Sequence, residues 1–384
     1  MLYATPELGP AENAALRAIE LGRKQLRYSV AAPRRWLGSV RRVLAARAIQ
    51  GSNSIEGYNV SVEDALAAID GDELTEARDT DAQAVSGYRR AMTYVIGLSK
   101  DDHFEYNAAL VRALHFMMTE YSLDAWPGRW RPGPIWVRNE ASGEIVYEAP
   151  DHELIPDLIA ELVDTLETDL PGQPAMIRAA MAHLNLVMIH PFRDGNGRMS
   201  RCLQTLVNAR ERVLAQELIS IEEYLGRNTA RYYEVLDQVG GGEWNPDNDA
   251  RPWIRFCLEG HYVQAESVLR RIHESGQMWI EVEELRTNAR LPERTMAALL
   301  DATIGLRVRN ASYRAQLRSW DEAISNQVAT TDLRAMVKAG LLQPQGRNRG
   351  AFYQAAAPLA TVRTEVRRSR RPIDTSRLFD PTRD

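Results

Sequence analysis

The sequence predicts a mainly α-helical protein with one β-hairpin in its first two thirds and a winged helix near its C-terminus. Three observations lead there. Apolar side chains at Ile177, Met181, Leu184 and Met188 recur at steps of four, three and four, the spacing of one face of a buried amphipathic helix. Before residue 276 the persuasive β signal is confined to Ile135-Trp136-Val137-Arg138 and Glu144-Ile145-Val146-Tyr147, joined through Asn139 to Gly143. Two short strands with a glycine-containing loop read as a hairpin. After about residue 276 the short helical stretches Thr295 to Thr303 and Thr330 to Ala339 lead into Gln345-Gly-Arg-Asn-Arg-Gly350 and Ala351-Phe352-Tyr353. A helix followed by a glycine-and-arginine hairpin is the pattern of a winged helix.

The 384 residues suffice for two or three domains. With 45% hydrophobic and 26% charged residues, the chain can form cores, which a disordered chain cannot. Its net charge of −5 argues against a generic nucleic-acid coat but leaves room for a local basic patch. The cations are 44 arginines and only three lysines, Lys24, Lys100 and Lys338, a bias that a GC-rich coding sequence produces. Arginine is nonetheless the better fork for phosphate and carboxylate, so single arginines repay inspection. Two cysteines, Cys202 and Cys257, make neither a disulfide framework nor a Cys-rich zinc site. The N-terminus lacks a basic and then apolar leader, and no apolar run approaches the ~20 residues that span a bilayer. A soluble, cytoplasmic, bacterial protein without a membrane partner is expected.

Along the chain, residues 1–100 form an N-terminal helical region and residues 101–275 a helical core. Within the core, Trp126 to Pro134 is an irregular lead into the hairpin. Pro171 to Pro174 and Gly240 to Pro246 are loops. The helix through Met176–Ile189 should end near His190, because the residue before Pro191 is pushed out of the helical region. The next helix starts around Gly197 and carries Leu203, Leu206 and Val207. Residues 276–358 form the winged helix. The tail, 359–384, with Arg363, Arg367, Arg368, Arg370 and Arg371, lacks periodicity and is expected to be disordered.

The chemistry is concentrated in His190-Pro-Phe-Arg-Asp-Gly-Asn-Gly-Arg-Met-Ser-Arg201. Gly195 and Gly197 let backbone N–H groups approach a ligand where a helix begins, an anion site by dipole and unpaired donors. Arg198 and Arg201, three apart, share one helix face and can reach one polyphosphate. Asp194 is the loop's single carboxylate, suited to Mg²⁺ that completes its shell with phosphate oxygens and water. His190 is the group able to take a proton near neutral pH. Asp-Gly-Asn-Gly alone would be ordinary turn chemistry; a base, a carboxylate, two glycines and two spaced arginines within twelve residues are not.

This segment resembles the signature of the Fic (filamentation induced by cAMP) family, His-Pro-Phe-x-Asp/Glu-Gly-Asn-Gly-Arg-x-x-Arg, with every specified position filled. The resemblance implies a Fic helical bundle and a protein adenylyltransferase that moves AMP from ATP–Mg²⁺ to a Ser, Thr or Tyr hydroxyl. It implies that His190 deprotonates the attacking hydroxyl and that Asp194 holds Mg²⁺. Gly195, Asn196 and Gly197 would bind phosphate oxygens, with Arg198 at the β-phosphate and Arg201 at the γ-phosphate. Phe192 would anchor the loop. The hairpin would be a flap that docks the target protein as an added strand, through Ile135, Trp136, Val137, Ile145, Val146 and Tyr147.

Upstream, Ser52-Asn-Ser-Ile-Glu-Gly57 puts Ser52 and Glu56 on one helical face before a glycine stop. It resembles the Fic inhibitory motif of the N-terminal-inhibited class, which implies that Glu56 pairs with Arg201 and competes with the γ-phosphate. The segment Thr330–Tyr353 resembles the winged helix often appended to bacterial Fic proteins. If it binds DNA, Arg334, Lys338, Arg347 and Arg349 would contact phosphates; a protein partner or a homo-oligomer is equally open. Two alternatives stand beside AMP transfer: removal of AMP by the same site, with Glu56 positioning water, and a Fic-like nucleotide-sensing DNA-binding regulator. An intact His190 weighs against the latter, since sensing needs no base.

The remaining signals are structural in character. His183 reads as a core histidine; His103, His115, His152, His261 and His273 are scattered. Cys202 reads as a small core residue. Gly240-Gly-Gly lacks a following Lys-Ser/Thr, so no P-loop is supported, and Asp247 and Asp249 read as loop solubility.

Overall fold

The computed structural model describes residues 1–32, 34–70, 79–138, 143–168, 173–212, 214–346 and 351–382. The N-terminal region is α1 (Pro10–Ala31), α2 (Leu37–Ile55), α3 (Val62–Asp70) and α4 (Asp79–Leu98). Next come α5 (Ala108–Thr119), strands β1 (Trp136–Arg138) and β2 (Ile145–Glu148), α6 (Ile155–Glu167), α7 (Ala175–Ile189) and α8 (Asn196–Ala209). Short α9 (Gln216–Ile219) and α10 (Glu222–Arg227) lead to α11 (Thr229–Gly240) and the long α12 (Arg251–Asn288). The chain closes with α13 (Met296–Ile304), α14 (Asn310–Arg318), α15 (Asn326–Lys338), β3 (Leu342–Gln345), β4 (Phe352–Ala355) and α16 (Ala357–Arg367). No described helix is long and apolar enough to cross a membrane.

Helix α7 sits at the centre. Its periodicity predicts one buried face, yet nearly every residue from Met176 to Ile189 is buried. Ala179, Ala180 and Ala182 explain the difference: they are too small to add to the periodic signal, but they let neighbours pack on the remaining sides. One side joins α4, α5, α6 and α8 through Leu114, Ile159, Leu186 and Leu206. The other joins α1, α11 and α12 through Ile19, Leu184, Tyr232 and Trp253. His183, buried between them, bonds Gln204 at 2.6 Å and Tyr232 at 3.0 Å, and is fully occupied by packing. Cys202 is buried in the first of these cores.

Three expectations change. A boundary at 275/276 falls inside α12, which runs about 57 Å at 1.5 Å per residue without interruption. Its first half packs Trp253 and Phe256 in the core beside α7, and its second half packs Val268, Ile272 and Val282 against α13 and α15. The tail from residue 359 is ordered structure: Leu359 and Val362 bury one side of α16, and Leu378 is fully buried. Its arginines obscured a weak periodicity, and two of them are absorbed by Glu274. A further helix, α14, gave no sequence signal because four of its nine residues, Asn310, Arg314, Gln316 and Arg318, are arginine or amide, and Tyr313 and Leu317 are its only large apolar side chains in the core.

In the C-terminal unit, helices α13, α14 and α15 precede the antiparallel β3–β4 pair, and Val308 between α13 and α14 bridges Tyr353. Ser325 caps α15 by accepting the Val328 N–H, which starts that helix four residues before Thr330. Arg334 and Lys338 are exposed on α15. Arg347 and Arg349 lie outside the described residues, as do residues 139–142 of the hairpin loop and 171–172 of the loop before α7.

Candidate functional site

The site forms at the turn between α7 and α8. Helix α7 stops at His190, which adopts φ +50°, ψ +56° and caps the helix with its own N–H on the Leu186 carbonyl. A non-glycine residue in this region costs about 1–2 kcal/mol, so the surroundings must hold it there. Arg131 does so. Its backbone N–H donates to the Pro191 carbonyl at 2.9 Å, and its buried guanidinium donates to the carbonyls of His190 (2.9 Å), Gly133 (2.7 Å) and Pro150. The same side chain thereby ties the turn between α7 and α8 to both ends of the hairpin. With His190 as the base that the Fic resemblance implies, Arg131→Lys, which keeps the charge but loses the fork, is expected to lower turnover at least about tenfold with little change in the KM for ATP, because only His190 is displaced. Steady-state labelling kinetics at varied ATP check this.

His190 Nδ1 lies 3.2 Å from the Val187 carbonyl. A carbonyl only accepts, so Nδ1 carries the proton and Nε2 keeps its lone pair. Burial pushes the imidazole pKa down to about 4, only partly offset by the Val187 carbonyl, so the ring is neutral at physiological pH.

The loop that follows is braced from two sides. The Asn196 side chain accepts the Phe192 N–H and donates to the Phe192 carbonyl, both at 2.9 Å. That commitment spends the side-chain oxygen and one of its two N–H donors on the loop itself. Fully buried Phe192 stacks on His115 at 3.7 Å with the rings 3° from parallel. His115 Nδ1 accepts the Gly128 N–H, so its Nε2–H donates to the Asp194 carbonyl, each at 2.9 Å. Sequence reasoning passed over His115 and Arg131. The signal for the first was its place among Val111, Leu114 and Met118 on the buried face of α5; for the second, it was an arginine amid a Pro/Gly stretch whose carbonyls need donors.

Asp194 is half exposed, accepts the Gly195 N–H at 2.7 Å, and lies 3.7 Å from Arg198 Nη2. Arg198 is fully buried beneath the Tyr58 ring at 4.9 Å, with Nη1 3.4 Å from the Tyr121 hydroxyl. Tyr58 and Tyr121 share a 2.9 Å hydrogen bond.

Arg201, also fully buried, meets the end of α2. Its Nε donates to Ser52 Oγ at 2.8 Å, and its Nη2 donates to the Ser52 carbonyl at 2.9 Å and Glu56 Oε1 at 2.6 Å. Two glycines make that approach possible. A Cβ at Gly51 would lie 2.6 Å from the Glu222 carbonyl oxygen, so α2 crosses α10 backbone to backbone. A Cβ at Gly197 would lie 2.2 Å from Glu56 Oε1, so the first turn of α8 presents bare backbone to the carboxylate.

Polyphosphate fits what remains. Among the described residues, Arg198 Nε and Arg201 Nη1 are buried donors without a hydrogen-bond partner, and both point from the helix that opens with Gly195 and Gly197. For Mg²⁺ the loop offers one carboxylate, Asp194, and no cluster of three or more His, Cys, Asp or Glu exists among the described residues. One exposed carboxylate suits an ion held chiefly by substrate oxygens.

The hairpin divides by its pleat. Val137 pairs with Tyr147 on the inner face, and the Tyr147 hydroxyl donates to the Met188 carbonyl at 2.8 Å. Tyr147 is therefore a buried anchor of the flap, which corrects its assignment to target docking. Ile135 and Val137 also pack inward, and Val146 is half-buried. Trp136 and Ile145 face solvent, at 42% and 50% exposure.

Four buried histidines have pKa values pushed below the usual 6.5 by burial: His115 and His190 to about 4, His183 and His261 to about 3. The unfolded chain takes up these protons below pH 6.5 and the folded chain does not, so this stability is complete above 6.5 and is lost as pH falls toward 4. Urea unfolding at pH 7.5 and pH 5.0 should differ by roughly 1–2 kcal/mol per histidine at most; equal midpoints would contradict the burial.

Residues 105–207 match the Fic/DOC family. The chain is similar to the protein adenylyltransferase fic-1 of Caenorhabditis briggsae, at 26% identity over 240 residues, 62% of this chain and 42% of that protein. It is also similar to the Caenorhabditis elegans counterpart, at 26% over 215 residues, 55% and 37% of the two chains. A protein adenylyltransferase Fic of Nematostella vectensis is 40% identical over 84 residues, 21% of this chain and 17% of its own. The chain thus spans about two fifths of the length of the nematode relatives. Among solved structures, a Fic family protein from Desulfovibrio desulfuricans shares the fold across 92% of this chain and 98% of its own, with a TM-score of 0.58 at 21% identity. Caenorhabditis elegans Fic-1 matches 69% of this chain and 73% of the solved one, with a TM-score of 0.54 at 20% identity.

Proposed function

We propose, from the match of residues 105–207 to the Fic/DOC family, that this chain is a protein adenylyltransferase held back by its own α2. The reaction joins the oxygen of a protein hydroxyl to the α-phosphorus of ATP and breaks the bond from that phosphorus to the bridging oxygen of the β-phosphate, releasing pyrophosphate. His190 Nε2 takes the hydroxyl proton, with Nδ1 held on the Val187 carbonyl. The backbone at Gly195 to Gly197 and Arg198 bind the β-phosphate region, and Arg201 binds the γ-phosphate. Asp194 would hold Mg²⁺, which would supply positive charge to the phosphates. Positioning and electrostatics carry most of the acceleration.

The observation that carries this reading is the grip of Ser52 and Glu56 on Arg201. A carboxylate placed on the donors of a phosphate arginine, against bare Gly197, has the geometry of a built-in competitor for the γ-phosphate. The Trp136 and Ile145 side of the hairpin is the proposed docking face for the target. The C-terminal unit we read as a winged helix, with Arg334 and Lys338 facing a DNA or protein partner.

Parallel incubations of Glu56→Gly protein with α-labelled and γ-labelled ATP test the reaction type. Retention of the α label alone on protein is expected; retention of the γ label would identify phosphoryl transfer and overturn the assignment.

A further inference from the structure

We infer that the back of α2 carries a second anion site, built from five arginines and suited to a small, multiply charged phosphate-bearing anion. The five are Arg47 on α2, Arg227 at the end of α10, Arg271 on α12, and Arg367 and Arg370 at the end of α16. They meet two carboxylates. Glu223 receives a fork from Arg271 at 2.6 Å on both oxygens, Arg227 at 2.7 Å and Arg47 at 3.5 Å. Glu274 takes both Arg370 nitrogens, with Arg367 Nε at 3.8 Å.

The cluster is short of negative charge. A carboxylate offers about four lone-pair sites, and Glu223 has already used its share on three arginines, so the group retains an excess of three positive charges. Arg47 Nε and Arg367 Nε are buried and, among the described residues, have no hydrogen-bond partner. The two halves are one neighbourhood, because Arg271 of the first and Glu274 of the second lie three apart on one face of α12. Burial, together with Arg271, Arg227 and Arg370, lowers the pKa of Arg47, and burial with Arg370, Arg363 and Arg47 lowers that of Arg367 to about 10. Such crowding of like charge is costly unless a counter-charge is fixed there. Guanidinium forks converging from several elements match phosphate oxygens. The place is open to solvent, since the Arg227 and Arg370 side chains are 62% and 37% exposed.

This site is separate from the phosphate loop. Arg47 precedes Glu56 by nine residues on α2 and its continuation, about 180° around the helix, so one helix presents a carboxylate to the catalytic arginine and a cation to the cluster. The shared chemistry is a phosphate chain, whether free or carried by a nucleoside.

Calorimetric titration of the full chain with inorganic tripolyphosphate, at matched ionic strength, tests the inference. Arg198→Gln protein, impaired at the motif loop, is expected to keep tripolyphosphate binding, while Arg227→Gln and Arg47→Gln each weaken it at least about tenfold. Arg227 is exposed enough that its substitution preserves the fold, and unchanged thermal unfolding without the anion verifies this. Repeating the titration with ATP on Arg198→Gln protein separates the sources: binding equal to tripolyphosphate assigns the bare phosphate chain, and tighter binding that still depends on Arg47 assigns a nucleotide. Binding lost with Arg198→Gln but untouched by Arg47→Gln and Arg227→Gln, or no binding beyond the salt control, would overturn the site.

Discussion

Glu56→Gly is expected to raise self-labelling from α-labelled ATP by about 10- to 100-fold. The size follows from what Arg201 is asked to exchange. In the closed arrangement its Nη2 serves Glu56 at 2.6 Å; after the substitution, that donor and the unpartnered Nη1 are available to the γ-phosphate. A charge-assisted hydrogen bond contributes about 1.5–3 kcal/mol, which corresponds to one to two powers of ten in occupancy of the productive pose. The same change has a cost that makes it recognisable. Removing one partner of a buried ion pair destabilises by about 3–5 kcal/mol, and the figure here belongs at the low end, because Glu56 is 23% exposed and Ser52 still holds Arg201. Thermal unfolding of Glu56→Gly should therefore fall without ATP and recover more than wild type when ATP is added.

His190→Ala in the Glu56→Gly background is expected to lower AMP transfer by about 10²–10⁴-fold, the range for a positioned general base, while ATP binding stays within about twofold. The separation is structural. The proposed phosphate contacts lie on α8 and its first turn, whereas His190 caps α7 and is held by Arg131. Because burial lowers its pKa to about 4, His190 stays a neutral base down to that region, so the acid limb of kcat/KM in the active variant should fall near pH 4 to 5 rather than near 6.5. An acid limb centred at 6.5 would place the titrating base elsewhere.

Much of this site was legible because its residues are contiguous. The stop at His190 follows from Pro191, the start of α8 from the glycines, and the placement of Arg198 and Arg201 on one helix from their spacing. Contact between Ser52, Glu56 and Arg201 spans some 145 positions and was reached through a family resemblance, since helix periodicity alone says nothing of which helix lies opposite. Arg131 and His115 were illegible for a related reason: each satisfies backbone carbonyls and amides of a distant turn, and no side-chain pattern advertises such a partner. The tail failed differently. An arginine-rich composition suggested disorder, but Arg367 and Arg370 are neutralised in part by Glu274, and a few apolar residues, Leu359, Val362 and Leu378, suffice to dock it. Asn196, placed by the motif, and Tyr147, placed by the hairpin, both turn their side chains to backbone groups of the scaffold, at Phe192 and Met188.

The proposed competition between Glu56 and the γ-phosphate for Arg201 is tested most directly by calorimetric titration of ATP and ADP into wild-type and Glu56→Gly protein. ADP lacks the phosphate in dispute, so its affinity should match in the two proteins within about twofold, while ATP binds Glu56→Gly at least about tenfold more tightly than wild type. Equal gains for ATP and ADP, or no gain for ATP, would contradict the account.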